Sequence, residues 1–280
     1  MTVGIFSCSG ACLSISSPRE KCRAVTALWV RVEQYDFVFD PHAAVVPIDA
    51  AGRPDKPELV APSALKRRRL GSAAGRAALA HAVAHIEFNA INLALDAVHR
   101  FRDMPRQYYI DWVSVAADEA RHFQLMQKRL GEIGHAYGDF PAHDGLWEMA
   151  RQTAGECLYR MALVPRVLEA RGLDVTPGMI ERLERAGDDE TVRLLKVILA
   201  EEVRHVEIGS HWFRLCCDQR GLDSEATFLA LLAAHRGAAL QGPFNLAARV
   251  QAGFTQRELG AMEGLRDGLK GANRNGRRAR

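Results

Sequence analysis

The chain has 280 residues, of which 48% are hydrophobic and 25% charged, and its formal net charge is +3. This composition is typical of a globular protein, and the small net charge excludes a strong overall attraction to nucleic acid. No apolar run reaches the roughly 18 residues that span a bilayer, so a membrane protein is not expected. The first apolar segment lacks a preceding basic region, so a signal peptide is not expected either.

The six cysteines indicate a reduced protein rather than one stabilised by disulfide bonds. None of them belongs to a C-x-x-C pair, and their spacing does not suggest a zinc ribbon. We therefore predict a cytoplasmic protein.

Residues 1–72 are predicted to form an irregular N-terminal arm. Proline recurs in DPHAAVVPIDAAGRPDKPELVAP (40–62) too often for long helices, and one short helix or strand is expected near TALWVRVE (26–33). The basic run KRRRL (66–70) follows. Such a run is usually a solvent-exposed surface, and a nucleic-acid contact is the alternative.

From residue 73 onwards, apolar residues recur at helical spacing and predict an all-α protein. Four helices, at 73–101, about 105–130, about 144–171 and about 188–217, are expected to form one bundle spanning 73–217. Pro165 should kink the third helix, which is expected to end before Gly172. Thr176 and Pro177 predict the start of a short separate helix that ends near Arg185.

The C-terminal part, residues 218–270, is predicted to add helices packed on the bundle. They are expected at about 224–240 and 244–269, and the second should break at the capping box TQRE (255–258). Residues 271–280 are predicted to be a basic, disordered tail.

Two stretches, AADEARHFQL (116–125) and LAEEVRHVEI (199–208), each contain the motif Glu-x-x-His. Residues three apart lie on one face of a helix, so Glu119 can share a site with His122, and Glu202 with His205. These residues, and Glu87 in the first helix, occupy positions where the apolar stripe continues on either side. Buried charges are normally paired or bound to metal, so a metal site is indicated.

The lengths of the helices predict which carboxylates meet. Glu87 lies 16 residues before Asp103, at the centre of the first turn, and Glu119 lies 16 residues after it. In an antiparallel pair both are then about 24 Å from the turn. The same count of 16 residues back from Gly172 selects Glu156 in the third helix. Glu169 is the alternative, and it is disfavoured because it lies close to the expected end of that helix.

The resulting set has four glutamates and two histidines from four helices, an arrangement found in di-iron and di-manganese carboxylate bundles. Carboxylates can bridge two cations, and imidazole suits iron, whereas structural zinc sites favour cysteine. Two iron ions, or alternatively two manganese ions, are the predicted cofactor. The predicted metal ligands are Glu87, Glu119, His122, Glu156, Glu202 and His205.

Residues 73–217 resemble the ferritin-like superfamily of di-iron carboxylate proteins. HIEFNAINLALDAVHRF (85–101), DWVSVAADEARHF (111–123) and EEVRHVEIGSHWF (201–213) are also similar to one bacterial ferritin-like family of unknown function, over about residues 53–260. The resemblance implies a four-helix bundle whose two iron ions serve oxygen or peroxide chemistry. In such a site Glu119 and Glu202 would bridge the ions, His122 and His205 would each bind one, and Glu87 and Glu156 would be terminal ligands.

Several functions fit this prediction. The first is an oxidoreductase that hydroxylates or desaturates an organic substrate and needs an external electron donor. A tRNA-modifying hydroxylase is a second, in which KRRR (66–69) and RRAR (277–280) contact phosphates. An iron-handling ferroxidase or detoxification protein also fits, as does a bundle that has kept its fold without metal.

Overall fold

A computed structural model describes residues 3–39, 48–66, 68–235 and 242–266. Within these ranges the protein is all-α, as predicted: its strands are the two-residue β1 (Val3–Gly4) and β2 (Phe37–Val38), which pair in parallel, and one isolated bridge joins Leu59 to Ala142. None of the described helices is long and apolar enough to cross a membrane. The tail predicted at 271–280, which contains RRAR, and the stretch 236–240 lie outside the described residues.

The helices fall into two compact units. Unit 1 comprises residues 1–155 and 181–196, and unit 2 comprises residues 156–180 and 197–280. In chain order the helices are α1 (Ile5–Ser14), α2 (Pro18–Glu33), α3 (Ala73–Arg100), α4 (Arg106–Glu132), α5 (Gly145–Gln152), α6 (Cys157–Leu163), a π-helical segment (Val164–Glu169), α7 (Ala170–Glu184), α8 (Asp189–Asp218), α9 (Ser224–Ala234), α10 (Leu246–Gln251) and α11 (256–266), with a 3-10 turn at Pro62–Ala64.

Helices α1 and α2 in unit 1 show that an irregular N-terminal arm was a wrong prediction for residues 5–25, whereas the short helix or strand expected near 26–33 is the second half of α2. Pro18 occupies the first turn of α2, and the Ser17 side chain accepts a hydrogen bond from the Glu20 amide. Both features are standard helix starts. Buried residues of α1 and α2 pack against α3 and α4 and extend the core of the unit.

Helices α3 and α4 form the centre of unit 1, and their bounds lie within two residues of those predicted. Ser72 caps α3 by accepting a hydrogen bond from the Gly75 amide, and Pro105 precedes the first residue of α4. The connection between them, residues 101–105, is short. Helices joined so closely run antiparallel, which sets Glu87 and Glu119 at the same distance from the turn.

The third long helix, in unit 2, differs from its prediction at both ends. The helix predicted from about 144 does start there, as α5 at Gly145, but it is interrupted at residues 153–156, so the third long helix begins at Cys157. At its other end α7 continues through Gly172 and Pro177 to Glu184. Proline cannot donate to the carbonyl four residues earlier, which normally breaks a helix. Here that carbonyl, on Leu173, accepts a hydrogen bond of 3.2 Å from the Asn245 side chain instead. The kink expected at Pro165 takes the form of the π-helical segment.

Two buried ion pairs fasten the C-terminal helices to this third helix. Arg166, in the π-helical segment, donates to both carboxylate oxygens of Glu258 at 2.8 Å. Arg249 binds both oxygens of Asp174 at 2.7 and 2.9 Å. Glu258 also accepts from the Thr255 amide while Thr255 accepts from the Glu258 amide, so the predicted capping box and break at TQRE are confirmed.

Replacement of Glu258 by alanine should destabilise the protein by about 3–5 kcal/mol, because it leaves the buried Arg166 guanidinium without its carboxylate. Glu263→Ala on the same helix is the matched control and should change stability by no more than about 0.5 kcal/mol. Unfolding in urea measures both. Equal effects of the two substitutions would show that the ion pair does not hold α11 in place.

Candidate metal centre

Three of the predicted ligands meet inside unit 1. Glu87 comes from α3, and Glu119 and His122 come from α4. The His122 Nδ1 atom lies 3.3 Å from Glu119 Oε2 and 3.4 Å from Glu87 Oε2. All three residues are buried, with exposed fractions of 4% for Glu87, 1% for Glu119 and 0% for His122. One ligand atom from each lies within 4.8 Å of the others, which is close enough for them to bind a common cation.

The charges of this cluster determine the protonation of His122. Burial alone lowers the pKa of His122, but hydrogen bonds and charge interactions with Glu119 and Glu87 outweigh burial and raise it to about 11. The imidazole therefore carries a proton in the metal-free chain, and its positive charge offsets part of the charge of the two carboxylates. A histidine must lose this proton before it can bind metal. A cation at the cluster would thus replace the proton as the partner of the carboxylates.

The surroundings of the cluster are apolar. Val83, Ala84 and Ile91 of α3 and Val115 and Met126 of α4 are all buried. In such a medium, electrostatic interactions are stronger than in water, and a polar group that lacks a partner is costly. The cluster is therefore a buried set of donors rather than a solvated acidic surface.

The second Glu-x-x-His motif lies in unit 2 and repeats the local geometry of the first. Glu202 and His205 are three residues apart on α8, and His205 Nδ1 lies 3.4 Å from Glu202 Oε1. His205 is fully buried. Each motif thus pairs a carboxylate with an imidazole on one helical face.

Glu156 is not placed beside this pair. It precedes α6, where its side chain forms an ion pair with Arg220, just beyond the end of α8. Asp218, the last residue of α8, is 13 residues after His205, or about 20 Å along the helix. The selection of Glu156 was wrong because it assumed that the third helix ends at Gly172.

Glu169, the alternative, fits the level of the pair in unit 2. Pro165 lies against Gly209 of α8, so closely that a Cβ atom at position 209 would collide with the proline ring. The third helix and α8 run antiparallel. The residue four positions after Pro165, which is Glu169, therefore lies opposite the residue four positions before Gly209, which is His205. This correspondence puts Glu169 at the level of His205, and the Glu169 Oε2 atom is buried. Glu169 ends the π-helical segment, a distortion that often occurs at functional sites.

Comparison with known sequences identifies the family. Residues 14–260 match the family described as a protein of unknown function, DUF455. The chain belongs to the DUF455 family. A DUF455 relative from Haemophilus influenzae, described as an uncharacterized protein, is 45% identical over 257 residues, which cover 88% of this chain and 89% of the relative. No solved structure matches. The DUF455 match includes α2, so the family region begins well before the residue 53 expected from the resemblance.

The Pro165–Gly209 contact predicts opposite effects of two glycine substitutions in this DUF455 chain. Gly209→Ala should destabilise it by about 1–3 kcal/mol, since the added methyl group overlaps the Pro165 ring. Gly172→Ala should stabilise it by roughly 0.5–1 kcal/mol, because alanine favours the helix and the methyl group meets no atom within 4 Å. Thermal and urea unfolding give both values. A stabilising Gly209→Ala would refute the contact that sets the level of Glu169.

Proposed function

We propose that this protein binds two metal ions, preferably iron, and uses them in the oxygen- or peroxide-dependent oxidation of an organic substrate. The observation that carries the proposal is the burial of Glu87 and Glu119 against His122 in the apolar interior of unit 1. Carboxylates and imidazole placed together in this way are the donors of di-iron carboxylate proteins. The proposed architecture is the ferritin-like four-helix bundle.

The proposed ligands combine this cluster with the second motif. Glu119 and Glu202 would bridge the two ions, and His122 and His205 would each bind one. Glu87 would be the terminal ligand on one side, and Glu169 replaces Glu156 on the other, since Glu169 lies at the level of His205. Four carboxylates would balance the four positive charges of two divalent ions.

Bound iron would supply the one-electron redox chemistry. The side chains of the protein would exclude water and hold the ligands in position. The buried side chains of α3 and α4 exclude water from the cluster, and Glu87 and Glu119 hold the His122 ring in a fixed orientation. Release of the His122 proton would accompany metal binding, because Nδ1 is the atom that faces the two carboxylates.

The tRNA-modifying alternative rests on basic residues. Lys66 and Arg68 line an open surface pocket together with Arg182 of α7, all within unit 1. Such a pocket is compatible with a phosphate group. Arg67 and the RRAR stretch lie outside the described residues, so this alternative stays a prediction.

Anaerobic loading with Fe(II), followed by elemental analysis, should give about two iron ions per chain, since six ligands suffice for two ions. Glu119→Ala should abolish binding because it removes the bridging carboxylate, while the helical circular dichroism spectrum is retained. Glu169→Gln should lower the stoichiometry or the affinity.

The matched control is Glu156→Gln, which removes the carboxylate that precedes the third helix but leaves the proposed ligands intact. It should retain about two ions, as the wild type does. A stoichiometry near zero in the wild type, or one zinc ion, would refute the di-metal proposal. Loss of iron in Glu156→Gln together with normal binding in Glu169→Gln would instead assign Glu156 as the ligand.

The reaction of the Fe(II) form with oxygen distinguishes an oxidase or hydroxylase from an iron-handling protein. We expect the oxidised iron to remain bound to the chain, because its ligands are buried, and to need an external reductant before a second turnover. Stopped-flow absorbance and the iron content after gel filtration measure this. Fe(III) that leaves the protein or forms a mineral would instead assign the chain to ferroxidase function.

A further inference from the structure

A partly open cavity lies in unit 1, beside a face of α3 that the metal cluster does not use. His85, Asn89 and Asn92 line it, and these residues share one side of the helix. Glu87 is not among its lining residues. The segment 50–57 and the residues around the start of α5 complete the walls. The cavity therefore shares no lining residue with the proposed metal ligands.

Two amide side chains face the cavity with fixed orientations. Asn89 and Asn92 are only 6% and 2% exposed. The Lys21 ammonium group donates to Asn92 Oδ1 and also to the carbonyls of Leu13 and Gly52. Because Asn92 Oδ1 is occupied in this way, the Asn92 NH₂ group is the part of the amide that can donate to a ligand. Asn89 Nδ2 donates to the His85 carbonyl at 2.8 Å, which leaves Asn89 Oδ1 as an acceptor. Neither group has a hydrogen-bond partner within the described residues.

Tyr137 adds a second acceptor. His85 Nε2 lies 3.1 Å from the His143 carbonyl, which accepts, and 3.1 Å from Asn89 Nδ2, which donates, so these two contacts are compatible with either tautomer of the ring. His85 Nδ1 lies 2.9 Å from the Tyr137 hydroxyl and accepts from it in one tautomer and donates to it in the other. In either tautomer at least one lone pair of the Tyr137 oxygen remains available to a ligand.

The cavity is also lined by two opposite charges that do not pair with each other. Arg53 donates to the carbonyls of Pro54 and Pro57 at 3.1 and 3.3 Å and binds no carboxylate within the described part of the chain. Asp144 is half-buried, and its carboxylate accepts no hydrogen bond from any described residue. Burial raises the pKa of Asp144, and the charges of Arg151 and Arg53 oppose this only in part.

We propose that this cavity binds a small zwitterion, a free α-amino acid. Its carboxylate would face Arg53 and the Asn92 NH₂ group, and its ammonium group would face Asp144 and the acceptors Asn89 Oδ1 and Tyr137. The rings of Phe88 and Trp147 supply an apolar wall for the side chain. A ligand of single charge satisfies only one end of this arrangement, whereas a zwitterion satisfies both.

Isothermal titration calorimetry of the full chain with the common L-amino acids tests the proposal. At least one of them should bind at millimolar or lower concentration. The methyl ester of that amino acid lacks the carboxylate charge, and its N-acetyl derivative lacks the ammonium charge. Each should bind at least about ten-fold more weakly. No heat with any amino acid at millimolar concentration, or equal binding of the singly charged derivatives, would overturn the proposal.

Substitutions of the two charges assign the binding to this cavity. Asp144→Asn and Arg53→Gln should each weaken binding by about ten-fold or more. Asp55→Asn and Lys56→Gln are matched controls, since these exposed charges belong to the same segment but do not line the cavity. They should leave the affinity unchanged. Equal affinity in Asp144→Asn, Arg53→Gln and the controls would show that any amino acid binds elsewhere.

Discussion

The burial of Glu87 and Glu119 against His122 is the constraint on which the proposed function depends. Removing a carboxylate from water costs several kcal/mol, and the cost is recovered only through close, well-oriented partners. A proton on His122 is one such partner, because hydrogen bonds and charge interactions with Glu119 and Glu87 raise the pKa of His122. Two glutamates would be a poor choice for an apolar helix pair if packing were their only role. A bound cation would explain why two carboxylates occupy these buried positions.

The third helix shows how distant residues position a candidate ligand. It contains two prolines and a π-helical segment, yet it continues from Cys157 to Glu184. The Asn245 side chain replaces the missing amide by donating to the Leu173 carbonyl, and two buried arginine–carboxylate pairs hold the helix on the C-terminal segment. The C-terminal helices therefore support the element that carries Glu169.

Much of the fold could be predicted from local signals. The bounds of α3, α4 and α8 followed from caps and apolar spacing, and TQRE indicated the start of α11. Helix α2 was not predicted although Ser17, Pro18 and Glu20 form a recognisable start, because the prolines of residues 41–62 dominate the pattern of the N-terminal region. The continuation of α7 through Pro177 could not be predicted, since the compensating Asn245 is 72 residues from Leu173. The error over Glu156 followed from that helix end.

The most direct test is a crystal structure of the iron-loaded protein with anomalous scattering measured at the iron edge. We predict two iron peaks about 4 Å apart, bound by Glu87, Glu119 and His122 together with Glu202 and His205. Glu169 should be within ligand distance of one of them, and Glu156 should still pair with Arg220. A single peak, or iron bound only to exposed carboxylates while His122 keeps its contacts with Glu87 and Glu119, would contradict the proposed di-metal site.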